Sequence, residues 1–487
     1  MKYFQPFRTR IPALCLLLLA LGLLPAPLKA QRRAVNDRPN LLVVTFDTTR
    51  ADRLQPYGYE DARTPTIGRL AREGVLFTHC NAQSPQTLPS HSSIFTGQYT
   101  ITHNVRSNGQ KLEDDAITMA EILSVEGYQT GAVVATAALM GSFNLKQGFG
   151  TYNDDFEDPA LTKAFKGFFR FFSRGKVNIT TTRPANRVSR LGRNWLSKAA
   201  KRKRPFFLWL HFFDPHSPYV YYPDFDKPAQ VREDGPENEY GELEENYINE
   251  IEFADYYLGK VIAHMEDLGV LDNTLIVFTA DHGESLGEHD YQGHRQEVYE
   301  HIIQVPLIMR FPKSLPQGQR LDTPAMSIDI APTVLRLLDV PYPDQAFPGT
   351  DLMSLDPDSP RERFSLAVKL FTKSPIRSAM YYGDYKYVLH DDPENSQLFA
   401  FRNDHDELRN LLKETIIQES VGKSGESPGP SAASGPGQAH PVDPAHRIDW
   451  AARIRAWFER YEELTVSDFK MTAEQMEALR SLGYIQD

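Results

Sequence analysis

Residues 41–47 read Leu41-Leu42-Val43-Val44-Thr45-Phe46-Asp47. An almost unbroken apolar run with β-branched residues ends abruptly on a carboxylate. Such a run suits a strand covered on both faces, as in a parallel sheet; a strand with one wet face would alternate. The pattern recurs at 128–136, at 205–213 with many aromatics, at 274–280 and at 305–310. The 274–280 run again stops at an acid, in Asp281-His282-Gly283. Between these runs, residues 64–73, 118–126 and 249–268 read as helices. Strands alternating with helices predict an α/β fold with a large, mostly parallel central sheet flanked by helices. Open sheets of this kind place ligands beyond the C-terminal ends of their strands. Asp47, the Asp214 region and Asp281 all stand at such ends, so the fold is expected to bring them to one crevice.

The chain has 487 residues, 41% of them apolar and 24% charged, enough for one large domain with an appended subdomain. Its formal charge is -11; beyond the first thirty residues 49 basic side chains face 64 acidic ones. That balance argues against a nucleic-acid partner. The basic run at 198–204 reads as a solvated helix end. Lys2, Arg8 and Arg10 precede an apolar stretch at 11–24, short for a bilayer span and suited to an export signal ending near Ala30. An uncleaved anchor is the alternative. Later stretches offer no membrane span. Of the two cysteines, Cys15 would leave with the signal and Cys80 remains, which excludes an intrachain disulfide. Cys80 reads as a small buried residue at a strand end. Export without disulfides points to a bacterial periplasm or a secreted location.

The expected domain order is a signal at 1–30, a catalytic α/β domain at 31–360 and a small antiparallel subdomain at 361–415. A flexible Gly/Ser/Pro-rich segment at 416–447 and C-terminal helices at 448–487 follow.

Five polar segments carry the chemistry. Asp47-Thr48-Thr49-Arg50 offers a strand-end carboxylate, a metal ligand or else a helix cap. Thr87-Leu88-Pro89-Ser90-His91 leads into a helix whose first N–H groups favour an anion. His103-Asn104-Val105-Arg106-Ser107-Asn108-Gly109 follows. Phe213-Asp214-Pro215-His216-Ser217-Pro218 places a histidine past an aromatic strand. The fifth is Asp281-His282-Gly283-Glu284, with His294 beyond it.

Taken together, and above all in residues 84–99, these segments resemble the sulfatase family within the alkaline-phosphatase superfamily. The resemblance covers roughly residues 38–400. It implies that Asp47, Asp281, His282 and Thr87 hold a divalent cation. Histidine in that set favours Mn²⁺ or Zn²⁺, with Ca²⁺ or Mg²⁺ also accommodated. A second cation at His216 and His294 stays open, and Asp214 would orient a histidine or join that second site. The resemblance also implies that His91, Arg106 and Asn108 contact a small anionic ester, and that His216 and His294 assist catalysis.

Two departures matter. Most sulfatases carry a cysteine, converted to formylglycine, where this chain has Thr87, and a second aspartate where it has Thr48. A sulfated formylglycine hydrate collapses by elimination; a sulfated threonine has no such route, whereas a phosphothreonine is open to in-line hydrolysis. The reading is therefore a metal-dependent ester hydrolase with Thr87 as nucleophile. It would act on phosphoric mono- or diesters or phosphonate esters, with sulfate-ester hydrolysis as a further activity. The alternatives are a phospho-headgroup transferase and a non-catalytic binding protein.

Overall fold

The computed structural model describes residues 38–156, 182–227, 239–342, 347–356, 361–368, 375–390, 392–413, and residues 450, 452–454 and 456. The export signal, the Gly/Ser/Pro-rich segment and most of the C-terminal helices expected above lie outside these residues.

Eight strands form the central sheet: β1 (Asn40–Phe46), β2 (Val75–Phe77), β3 (Gln129–Val133), β4 (Thr151–Asn153), β5 (Phe206–Phe212), β6 (Thr274–Ala280), β7 (Leu307–Arg310) and β8 (Gln319–Leu321). Their order is β8-β2-β7-β6-β1-β5-β3-β4. All neighbours pair in parallel except β7, which runs against both β6 and β2. Each strand is apolar on both faces because both faces are covered. Leu41, Val43, Phe207, Trp209, Leu275 and Val277 point to one core. There they meet α2 (Thr87–Thr96), α3 (Met119–Val125) and α6 (Ile330–Leu337). Leu42, Val44, Leu208, Leu210, Ile276 and Phe278 point to the other. That core is closed by α1 (Pro65–Arg72), α4 (Ala185–Ala199) and α5 (Glu239–Asp267). Removal of one such side chain, for instance Val277→Ala, leaves a cavity worth about 2–4 kcal/mol.

A second, antiparallel sheet follows: β9 (Arg363–Val368), β10 (Pro375–Tyr382), β11 (Tyr385–His390) and β12 (Gln397–Phe399). Its β10–β11 turn uses Gly383 at φ 56°, a left-handed conformation that glycine adopts without strain. Trp450 and Ile454 are buried against Phe364, Met380 and Tyr387 of this sheet. Strand β9 was not foreseen from the sequence.

Candidate active site

The register of the central sheet builds the site. Phe46 pairs with Ala280, so the next residues, Asp47 and Asp281, leave the sheet side by side. Both are fully buried. Burial pushes both carboxyls well above their usual range, and Asp47 raises Asp281 further. With His282 they bring ligand-type atoms within 4.8 Å of one another. Gly283 closes this turn: its N–H donates to Ile302 O at 2.6 Å, and a β-carbon there would stand 2.1 Å from His301 O.

Backbone carbonyls and N–H groups fix the histidine tautomers, because a carbonyl only accepts and an N–H only donates. His282 Nδ1 donates to Gly283 O at 3.0 Å, so its Nε2 carries a lone pair, 3.4 Å from Asp281 Oδ2. Both Asp47 oxygens, Asp281 Oδ2 and His282 Nε2 are buried and meet no hydrogen bond of good geometry. Buried acceptors in that state are costly unless a cation satisfies them. The donor set, two carboxylates and one imidazole nitrogen, fits a divalent ion.

His211 works from behind. Its Nδ1 accepts from Ala135 N–H at 3.2 Å, so the proton sits on Nε2, 3.2 Å from Asp47 Oδ2. That N–H faces the aspartate and leaves no lone pair on Nε2 with which to ligate a cation. His91 Nδ1 donates to Thr87 O at 2.8 Å, and Nε2 accepts from Thr45 Oγ1 at 3.0 Å. Thr45 Oγ1 in turn accepts from Trp209 Nε1 at 3.0 Å. His91 was expected against the substrate. It is instead fully buried with both nitrogens engaged, which leaves neither for a substrate. His91, His211 and Asp281 also approach within 4.8 Å, but these tautomers rule that trio out as a second metal set.

Thr87 is the first residue of α2. The helix is pinned to the acid cluster by Ser90 Oγ, which donates to Asp281 O at 2.6 Å. Asn108 accepts from Leu88 N–H at 2.8 Å through Oδ1, while its buried Nδ2 meets no partner. Its amide therefore presents a donor beside the start of α2. Arg106, two residues before, is mostly buried, and burial lowers its guanidinium pKa. Thr48 sits at φ 50°, rare for a β-branched residue. Its hydroxyl donates to Pro215 O at 2.6 Å and its N–H to Asp281 Oδ1 at 3.1 Å. A frame residue thus occupies the position where most sulfatases have a second aspartate.

His216 and His294 meet, Nε2 to Nε2, at 3.4 Å. Each Nδ1 donates to a carbonyl at 2.6 Å, Ser217 O and Pro85 O respectively. Both Nε2 atoms therefore turn lone pairs toward the same point. Burial holds both imidazoles neutral, His216 at about 3. His294 also stacks on His282, with ring centroids 4.2 Å apart. Asp214, expected to orient a histidine, bonds neither His216 nor His211. Its Oδ1 accepts from Ala185 N–H at 3.0 Å, at the start of α4, and burial raises its carboxyl to about 7.

Glu284, two residues past His282, is buried beside Tyr219, and burial raises it to about 8. Sequence reasoning did not place His211 against Asp47. In the case of His211 the signal was present: a histidine one pitch before the end of a wholly buried strand, paired with Thr45.

The comparisons with known proteins agree with this frame. The sulfatase family model matches residues 39–340. The chain belongs to the sulfatase family. A model for the C-terminal part of N-sulphoglucosamine sulphohydrolase matches residues 287–424. An ulvan-active sulfatase of Formosa agariphila is 27% identical over 368 residues, 69% of either chain. Among solved structures, a protein in complex with its substrate D-glucosamine-2-N,6-O-disulfate superposes with a TM-score of 0.66 at 17% identity, covering 89% of this chain and all of that one. The phosphonate monoester hydrolase of Agrobacterium radiobacter gives 0.65 at 17% identity, covering 90% of this chain and 99% of that one. Membership makes this sulfatase-family chain an ester hydrolase. No helix among its described residues is long and apolar enough to cross a membrane.

Proposed function

We propose that this sulfatase-family protein is a metal-dependent hydrolase of phosphoric or phosphonate esters in which Thr87 is the nucleophile. The observation that carries the reading is Thr87 itself, at the first position of α2, where most of the family has a cysteine. Among the described residues Cys80 is the one cysteine, and it is no substitute: it is fully buried, and burial holds its thiol protonated.

Asp47, Asp281 and His282 would hold the cation. When bound, a divalent ion lowers the pKa of a nearby hydroxyl and offsets charge on the ester. The protein does the rest. Thr87 Oγ forms the new bond to phosphorus as the bond to the leaving oxygen breaks. The hydroxyl proton passes to the lone pair at His294 or His216 Nε2 and from there to the departing oxygen. Asn108 Nδ2 donates to an equatorial oxygen, where charge grows in the transition state. Water then attacks phosphorus, the bond from phosphorus to Thr87 Oγ breaks, and the proton lost by the water returns to Thr87 Oγ.

The test is hydrolysis of matched p-nitrophenyl phosphate, phosphodiester, phosphonate and sulfate with Mn²⁺, Zn²⁺ or Ca²⁺, with Thr87→Ala alongside. Faster turnover of phosphorus esters and a dead variant support the proposal. Preference for sulfate, or an active variant, refutes it.

A further inference from the structure

Thr48 is held in a backbone conformation that its side chain disfavours. Of the non-glycine residues with positive φ among those described, it is the β-branched one, at φ 50°. Such strain persists only where the surroundings impose it. Hydrogen bonds to its N–H, hydroxyl and carbonyl impose it here. The N–H donates to Asp281 Oδ1 at 3.1 Å, and the hydroxyl donates to Pro215 O at 2.6 Å. Tyr247 OH, on α5, donates to Thr48 O at 2.7 Å and accepts from Arg50 N–H at 2.9 Å. Thr48 and Tyr247 are both fully buried, out of reach of competing water.

These bonds run from the acids proposed to hold the cation to a histidine. Asp281 Oδ1 accepts from Thr48 N–H and, at 2.9 Å, from His282 N–H, while Oδ2 meets no hydrogen-bond donor. One carboxyl thus fixes the Thr48 turn with one oxygen and presents the other to the site. Pro215 O, at the far end, belongs to the peptide group that joins Pro215 to His216. The N–H of that same group donates to Phe213 O at 2.9 Å. Both polar atoms of one planar unit are therefore held, the oxygen by Thr48 and the nitrogen by Phe213. The His216 ring is set on this base. It stacks on Phe213, with centroids 4.5 Å apart, and its Nδ1 donates to Ser217 O at 2.6 Å.

An aspartate at position 48 could not make this connection. A carboxylate has no hydrogen to donate and would set its oxygens against Pro215 O. Threonine there adds a bond as well as removing a ligand.

We propose, resting on the role assigned above to His216 but not on the choice between phosphate and sulfate, that Thr48 is a positioning residue. Its hydroxyl fixes the Pro215–His216 peptide relative to Asp47 and Asp281. His216 Nε2 can then pass the proton taken from Thr87 Oγ to the oxygen departing from an ester seated at those acids. A displacement of about 1 Å in such a group costs about 10²-fold in rate.

The experiment compares esters of p-nitrophenol, p-chlorophenol and phenol, as phosphates or sulfates, whichever the parent turns over with Mn²⁺. The quantity is kcat/KM, which includes the step in which the aryl oxygen departs. p-Nitrophenolate leaves with little need of a proton, and phenolate needs one most. Thr48→Val removes the hydroxyl and keeps the branched shape. Its expected loss is about 10²-fold for the phenyl ester and under about tenfold for the p-nitrophenyl ester. His216→Ala should show the same graded loss, and Thr48→Ser, which keeps the hydroxyl, should recover the parent's pattern. Thr48→Ala carries the test if the valine variant does not fold. The rise in unfolding temperature that Mn²⁺ gives should be equal in parent and Thr48→Val. A graded loss in His216→Ala alone overturns the proposal and leaves the role of His216 standing. Without a graded loss in His216→Ala that role falls, and the role of Thr48 falls with it. An equal loss for every ester in Thr48→Val, or a lost response to Mn²⁺, also overturns it.

Discussion

Lys386 on β11 is fully buried between Glu407 at 2.6 Å and Glu300 at 3.3 Å, and Tyr381 OH donates to Glu300 at 2.7 Å. Asp47, Asp281 and His282 are as deeply buried, yet no lysine or arginine among the described residues pairs with them. Both clusters take charge out of water, which is costly. The first carries its own counter-charge. Burial would raise Glu300, but Lys386 and Tyr381 outweigh it and hold its carboxyl down, whereas Glu407, which shares the same lysine, is raised by burial to about 7. That closed network ties β10 and β11 of the small sheet to Glu300 of the main body. The second is left open, and burial drives its acids up. The contrast separates attachment from chemistry: a closed buried network fixes one arrangement, and an open one is completed by a ligand.

The comparison breaks most readily at one side chain from each cluster. Lys386→Met leaves two carboxylates buried without their cation and should cost about 3–5 kcal/mol in denaturant unfolding. Asp281→Asn removes a buried charge instead. In chelator it should unfold at or above the parent's temperature, while losing the rise that added Mn²⁺ or Zn²⁺ gives the parent. A parent insensitive to metal, or a stable Lys386→Met, would erase the distinction.

A sharper cut concerns the open site's donors. Asn108→Ala should lower kcat by about 10²–10³-fold with little change in KM, because its amide is aimed at charge that grows during reaction. An equal rise in KM at constant kcat would make it a ground-state contact. The smallest effect is expected behind the site. His211→Phe removes the proton facing Asp47 and should weaken cation affinity about 10–100-fold, with turnover largely restored at saturating metal. Turnover still lost at saturation would mean that His211 does more than orient Asp47.

The sheet and the strand-end acids were legible because an apolar run ending on Asp is a local pattern. Strand direction was not. Residues 305–310 read as one more buried strand, and only the register reveals that β7 runs against β6. The histidines divide in the same way. His216, His282 and His294 were marked by their neighbours in sequence. His91 and His211 take their roles from Thr87 O and Ala135 N–H, one four residues away and the other on a separate stretch of chain. Asp214 likewise caps α4, whose start lies 29 residues upstream.

The central claim is a covalent one, so the decisive measurement is acid-quenched mass spectrometry of the enzyme during turnover of p-nitrophenyl phosphate with Mn²⁺ or Zn²⁺. The account predicts one phosphoryl group on the peptide containing Thr87, formed and lost with turnover and absent in Thr87→Ala. Turnover with that peptide unmodified, or continuing in Thr87→Ala, would contradict it.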